Sequence, residues 1–97
     1  MNILSLDVGG TFIKWGVMNE SVEILKQGKV VTPRTCLDDF LNSIKKIVEL
    51  NQEFSIVGLS FSLPGTMDSS TGDITHGGSL RYLDGINFYD LLQNSFP

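Results

Sequence analysis

The sequence predicts an α/β protein built on one mixed sheet. Three observations predict it. Residues 1–31 hold three strand-like segments joined by short connections. An amphipathic helix pattern follows, and then an apolar strand leads to a second helix. A meander followed by an α/β unit gives a mixed sheet with helices packed against it.

The elements follow in order. Ile3-Leu4-Ser5-Leu6 and Phe12-Ile13-Lys14-Trp15-Gly16-Val17 read as two strands of a hairpin, with Gly9-Gly10 in the connection. Asn19-Glu20-Ser21 supplies the next turn. A third strand is expected from Val22 to Val31, with a bulge or bend at Gly28. Thr32-Pro33-Arg34 breaks the pattern, and Thr35 is the expected N-cap of a helix, with Asp38 in its first turn. Leu37, Phe40, Leu41, Ile44, Ile47 and Val48 recur at spacings of three and four, which marks one apolar helix face ending near Asn51. Residues 54–62 are apolar on both faces and read as a central strand, stopped by Pro64-Gly65. Residues 65–79 are dense in Gly, Ser, Thr and Asp and read as a loop with a short excursion near Ile74. Asn87 caps a second helix with Asp90 three residues on, and Phe88, Leu91 and Leu92 form its apolar face. The order strand, strand, strand, helix, strand, helix is the first part of a ribonuclease-H-like fold, which continues with one more strand and helix.

The chemistry concentrates in Asp7-Val8-Gly9-Gly10-Thr11-Phe12-Ile13-Lys14. Glycine leaves no Cβ between backbone and ligand, and successive N–H groups in such a turn can form an anion-binding nest. The Thr11 hydroxyl can add a bond to a phosphate oxygen. Asp7 repels phosphate but suits the Mg²⁺ that accompanies a nucleotide, directly or through water. No Walker P-loop occurs, and Gly9-Gly10 leads into a strand pattern rather than a helix, so the dinucleotide fingerprint fails.

Composition narrows the classes further. Ninety-seven residues suit one domain, taken as 1–97. The net charge of −4 and the lack of a dense basic patch argue against nucleic acid as a partner. Cys36 is the single cysteine, so no internal disulfide forms, which fits a cytoplasmic location. The N-terminus lacks signal-peptide character and no apolar run approaches membrane-spanning length, so no membrane partner is expected.

Two motifs carry a family resemblance. Asp7 to Lys14 resembles the first phosphate motif of the ROK family of sugar kinases, within the actin/hexokinase/heat-shock ATPase superfamily. Gly58-Leu59-Ser60-Phe61-Ser62-Leu63-Pro64-Gly65-Thr66-Met67-Asp68 resembles that family's Gly-x-Ser-x-x-x-Pro-Gly-x-x-Asp segment. Gly72-Asp73-Ile74, Leu80-Arg81-Tyr82-Leu83 and Asp90-Leu91-Leu92 follow in the family's order. The resemblance implies the N-terminal portion of an ATP-dependent hexose kinase with ATP and Mg²⁺ as cofactors and a small sugar as substrate. It places Asp7 at Mg²⁺, Gly9, Gly10, Thr11 and Lys14 at the ATP phosphates, and Gly65, Gly78 and Ser79 on the sugar side. The family's tryptophan-like position falls near Leu83. Its catalytic aspartate belongs to a strand expected after Pro97, so this piece alone is expected to be inactive and its exposed sheet edge to favour a homo-oligomer. The alternatives are a sugar-sensing ROK regulator without its DNA-binding segment, and a ribonuclease-H-like nuclease. The regulator would need room ahead of a hairpin that begins at the first residues. The nuclease would need more carboxylates than Ser60 and Ser62 provide.

Other reactive residues have simpler roles. His76 reads as a solvated loop residue, Cys36 as inert packing, Trp15 and Phe12 as core, and Lys14 equally as a solvated strand residue. Asp38 and Asp39 favour the helix N-terminus, and Asp68 and Asp73 read as turn formers.

Overall fold

A computed structural model of the chain describes residues 1–96, which fall into two compact units, residues 1–62 and the residues from 63 onward. In the first unit, β1 (Asn2–Val8), β2 (Phe12–Met18) and β3 (Ile24–Val31) form an antiparallel meander. Helix α1 (Leu37–Leu50) and a 3-10 turn at Gln52–Phe54 then lead to β4 (Ile56–Ser62), which pairs with β1 in parallel. The strand order is β3-β2-β1-β4.

Alternation along the strands builds the core. Leu4, Leu6 and Val8 of β1 and Ile13, Trp15 and Val17 of β2 are buried, while Ile3, Asp7, Phe12 and Lys14 between them are exposed. Phe40, Leu41, Ile44 and Ile47 form the buried stripe of α1, each worth about 1.5–3 kcal/mol of burial. Asn51 caps the C-terminus of α1 and is fully buried, its Nδ2 donating to the Ile47 carbonyl at 2.8 Å.

Four local expectations change. The third strand starts at Ile24 rather than Val22. Asn19 Oδ1 accepts from the Ser21 and Glu23 amides at 3.0 Å, and Val22 takes φ +62°, so these residues close the turn. Gly28 is not a bulge. The register break lies at Val17/Met18, whereas Gly28 faces Trp15, where an added Cβ would stand 2.7 Å from the indole. Cys36 rather than Thr35 is the N-cap of α1, without a side-chain cap bond, while the Thr35 hydroxyl donates to Asp39. Finally, β4 lies at the sheet edge rather than its centre. It contributes no fully buried side chain, and Val57 is 62 % exposed, because only β1 flanks it among the described residues.

The second unit gives the expected loop more structure. β5 (Thr66–Met67) and β6 (Ile74–His76) form a short antiparallel ribbon, followed by a 3-10 turn at Arg81–Leu83 and helix α2 (Phe88–Ser95). Ile74, Leu80, Leu83 and Phe88 are its buried centre. Asn87 caps α2 as expected, Oδ1 accepting from the Asp90 amide at 3.0 Å. Asp68 closes a turn by accepting from the Ser70 hydroxyl and amide, which hold its carboxyl below the usual value. No helix among the described residues is long and apolar enough to cross a membrane.

Candidate functional site

The β1–β2 connection is an open turn held from beneath. The Gly9 amide donates to the Phe12 carbonyl at 2.9 Å, so that N–H closes the turn. A Cβ on Gly9 would lie 3.1 Å from the same carbonyl oxygen, which explains glycine there without any positive φ. Gly10 and Thr11 follow, Thr11 exposed, and among the described residues their amides donate no hydrogen bond.

Thr32 fixes this turn, a role that the sequence pattern left as a simple break. It is 1 % exposed. Its Oγ1 donates to the Gly9 carbonyl at 2.8 Å and its amide donates to the Thr11 carbonyl at 2.9 Å. Two carbonyls of the turn are thereby drawn toward Thr32, and the Gly10 and Thr11 donors are left without a partner among the described residues. The signal available in sequence was only a hydroxyl residue at the end of a strand expected to flank the hairpin.

Asp7 is exposed at the end of β1. In the ladder it stands opposite Lys14 on β2 and Ser62 on β4, and Lys14 stands opposite Lys29 on β3. Ser62, Asp7, Lys14 and Lys29 therefore form one polar row on the sheet face away from the core. Among the described residues the Asp7 carboxylate forms no ion pair, and no cluster of three or more His, Cys, Asp or Glu could hold a metal by itself. Asp7 suits Mg²⁺ only as one ligand among water and ligand oxygens. Trp15 is core as expected, but Phe12 lies on the outer face, with the Lys29 ammonium 4.5 Å from its ring centre.

The residues expected at a sugar lie in the second unit. Gly65 (φ +85°) and Gly78 (φ +64°) cross at close range. A Cβ on Gly65 would come within 2.0 Å of the His76 carbonyl and 2.5 Å of the Gly78 nitrogen, so only glycine fits. Ser79 follows, exposed. Asp84 orders this segment by accepting from the Gly77 amide at 2.7 Å and from Arg81 Nε at 2.8 Å. The Gly77 amide first, and then the Arg81 guanidinium, hold its carboxyl below the usual carboxylate value. His76 is exposed but not simply solvated: its Nδ1 accepts from the Gly78 amide at 2.9 Å.

With this geometry in place, likeness to known proteins becomes informative. A β-glucoside kinase of Listeria monocytogenes is 32% identical over 93 residues, covering 96% of this chain and 31% of that enzyme. An N-acetyl-D-glucosamine kinase of Haemophilus influenzae is 38% identical over 69 residues, covering 69% of this chain and 23% of that enzyme. The chain thus spans about a third or less of the curated relatives it matches. A ROK family glucokinase from Streptomyces griseus, solved with glucose and AMPPNP, superposes with a TM-score of 0.85 at 20% identity, covering 99% of this chain and 30% of that one. At that identity its likeness shows the fold alone. The ROK family pattern matches residues 3–97, and the chain belongs to the ROK family.

Proposed function

We propose that this chain is the N-terminal, phosphate-binding domain (residues 1–97) of an ATP-dependent sugar kinase that acts on a hexose or hexose derivative in the cytoplasm. The observation that carries the proposal is the open Gly9-Gly10-Thr11 turn, which Thr32 braces through two carbonyls and whose Gly10 and Thr11 amides donate no hydrogen bond among the described residues. Support also comes from relatives that are themselves sugar kinases and from the glucose and AMPPNP bound by the glucokinase of the same fold.

Each residue has a role in this proposal. The Gly10 and Thr11 amides and the Thr11 hydroxyl bind phosphate oxygens, and fixed donors of this kind stabilise charge without reorganising. Lys14 adds a cation beside them, and Asp7 holds Mg²⁺ directly or through water. When bound, Mg·ATP supplies the phosphoryl group and neutralises part of its charge. Gly65 brings bare backbone toward the sugar, and Gly78 and Ser79 offer donors and a hydroxyl on the same segment. On this reading the chain alone binds Mg·ATP and does not turn over sugar.

The test has two arms. The chain mixed with Mg·ATP and glucose, a β-glucoside or N-acetylglucosamine is expected to form no sugar phosphate, and turnover by the chain alone would contradict that part of the proposal. In a complete kinase carrying this domain, Asp7→Ala is expected to lower kcat at least about a hundredfold, a loss on the scale of one electrostatic contact to the transferring group. Unchanged kcat would remove Asp7 from the metal site.

A further inference from the structure

Lys14 and Lys29 stand directly opposite one another on β2 and β3. Like charges in that position destabilise a sheet. Nothing among the described residues neutralises them. Asp7 faces Lys14 from the other side without an ion pair, and Lys29 has no carboxylate within ion-pair distance. Lys26, also on β3, does have such a partner in Glu53 at 3.7 Å. Lys29 instead leans along the strands until its ammonium lies 4.5 Å from the centre of the Phe12 ring, and Phe12 directly follows Thr11. The second lysine therefore reaches toward the turn with the unspent amides.

Space is available around the two lysines as well. A shallow depression of about 290 Å³ is lined by Lys14, Trp15, Gln27, Gly28 and Lys29. Gly16, on the same outer face as Lys14, places no side chain between Lys14 and Gln27. Two cations, an amide and a bare stretch of strand thus border one depression on β2 and β3.

We infer that Lys29 is a second cationic arm of the phosphate turn, forming with Lys14 a two-lysine seat for the distal groups of a linear phosphate chain. The inference rests on the turn being a phosphate site, as proposed above, and adds a residue that selects the donor. Its ligand chemistry is a run of phosphoryl groups, supplied either by a nucleoside triphosphate or by inorganic polyphosphate. Phe12 holds Lys29 in place through its ring face, so the arm is pre-oriented before the anion arrives.

The experiment titrates the 97-residue chain separately with Mg·ATP, with tripolyphosphate and with AMP, in wild type, Lys29→Met, Lys29→Arg and Asp7→Ala forms. Trp15, the only tryptophan and a lining residue of the depression, reports binding by fluorescence, with calorimetry as a second readout. Lys29→Met is expected to weaken Mg·ATP and tripolyphosphate about five- to tenfold and to make the salt dependence of binding shallower. Lys29→Arg is expected to recover affinity to within about threefold. A larger loss for tripolyphosphate than for Mg·ATP would identify inorganic polyphosphate as the donor that most needs the arm, and equal losses would identify the shared phosphate chain as what is read. Unchanged affinity in Lys29→Met alongside weakened Mg·ATP binding in Asp7→Ala would overturn the assignment of Lys29 and leave the phosphate turn standing. An equal loss for AMP would overturn it too, since AMP lacks the distal groups. Failure of the wild-type chain to bind either Mg·ATP or tripolyphosphate would overturn the phosphate turn and Lys29 with it.

Discussion

Thr32 does more for the candidate site than any residue in the glycine motif. Its hydroxyl is buried and bonded to the Gly9 carbonyl, so Thr32→Val keeps the shape and removes one bond. The expected cost is about 1–2 kcal/mol, including the carbonyl left without that donor, measurable by urea unfolding. A loss of Mg·ATP affinity larger than the loss of stability would show that the turn itself has relaxed. Gly65 is constrained differently. At φ +85°, with a Cβ that would approach the His76 carbonyl to 2.0 Å, Gly65→Ala is expected to cost about 2 kcal/mol or more and to displace the Gly77-Gly78 backbone. A melting temperature equal to wild type would contradict that. Asp84 carries the acid sensitivity of the same segment. Its carboxyl titrates below the usual value because the Gly77 amide and Arg81 hold it ionised. The stabilisation is present in full above the ordinary aspartate value and fades as pH falls through the lowered one. The protection of the Gly77 amide against exchange, taken relative to its intrinsic rate at each pH, is expected to fall only in that acid range, and Asp84→Asn is expected to remove the dependence.

At the scale of elements, the hairpin and α1 were legible in sequence because their periodicities are clean. Ile13, Trp15 and Val17 alternate, and Phe40, Leu41, Ile44 and Ile47 recur at helical spacing, so each pattern names its buried face. The position of β4 was not legible. Apolar residues on both faces suggest a central strand, yet a strand's neighbours are decided by topology and not by its own residues. Gly28 misled for a related reason. A glycine in a strand suggests a bulge, but here it makes room for the indole of Trp15, a partner fixed only once β2 and β3 are in register. Gly28→Val is therefore expected to cost about 1–3 kcal/mol by overpacking and to shift the Trp15 emission, whereas a residue at a true bulge would leave the fluorescence unmoved. The candidate site divides in the same way. Asp7, Gly9, Gly10 and Thr11 stand next to one another in sequence and could be named from it. Thr32, Ser62 and Lys29 reach the turn or its polar row only through the pairing of β2 with β3 and β1 with β4.

For the whole molecule, the chain belongs to the ROK family and spans about a third of the curated relatives it matches. The free edge of β4 and the exposed Val57 give a further expectation, self-association through strand pairing. Sedimentation equilibrium is expected to show a concentration-dependent dimer, and a strict monomer at high concentration would contradict it. The central claim is narrower: the turn at residues 9–11 binds phosphate through amides that Thr32 leaves unspent. It is tested most directly by an amide-resolved NMR titration of the isotopically labelled chain with Mg·ATP. The predicted result is that the Gly10 and Thr11 amides move first and furthest while the Gly9 amide, already bonded to Phe12, moves little. Saturable shifts confined to other parts of the chain, or no shifts at millimolar Mg·ATP, would contradict the account.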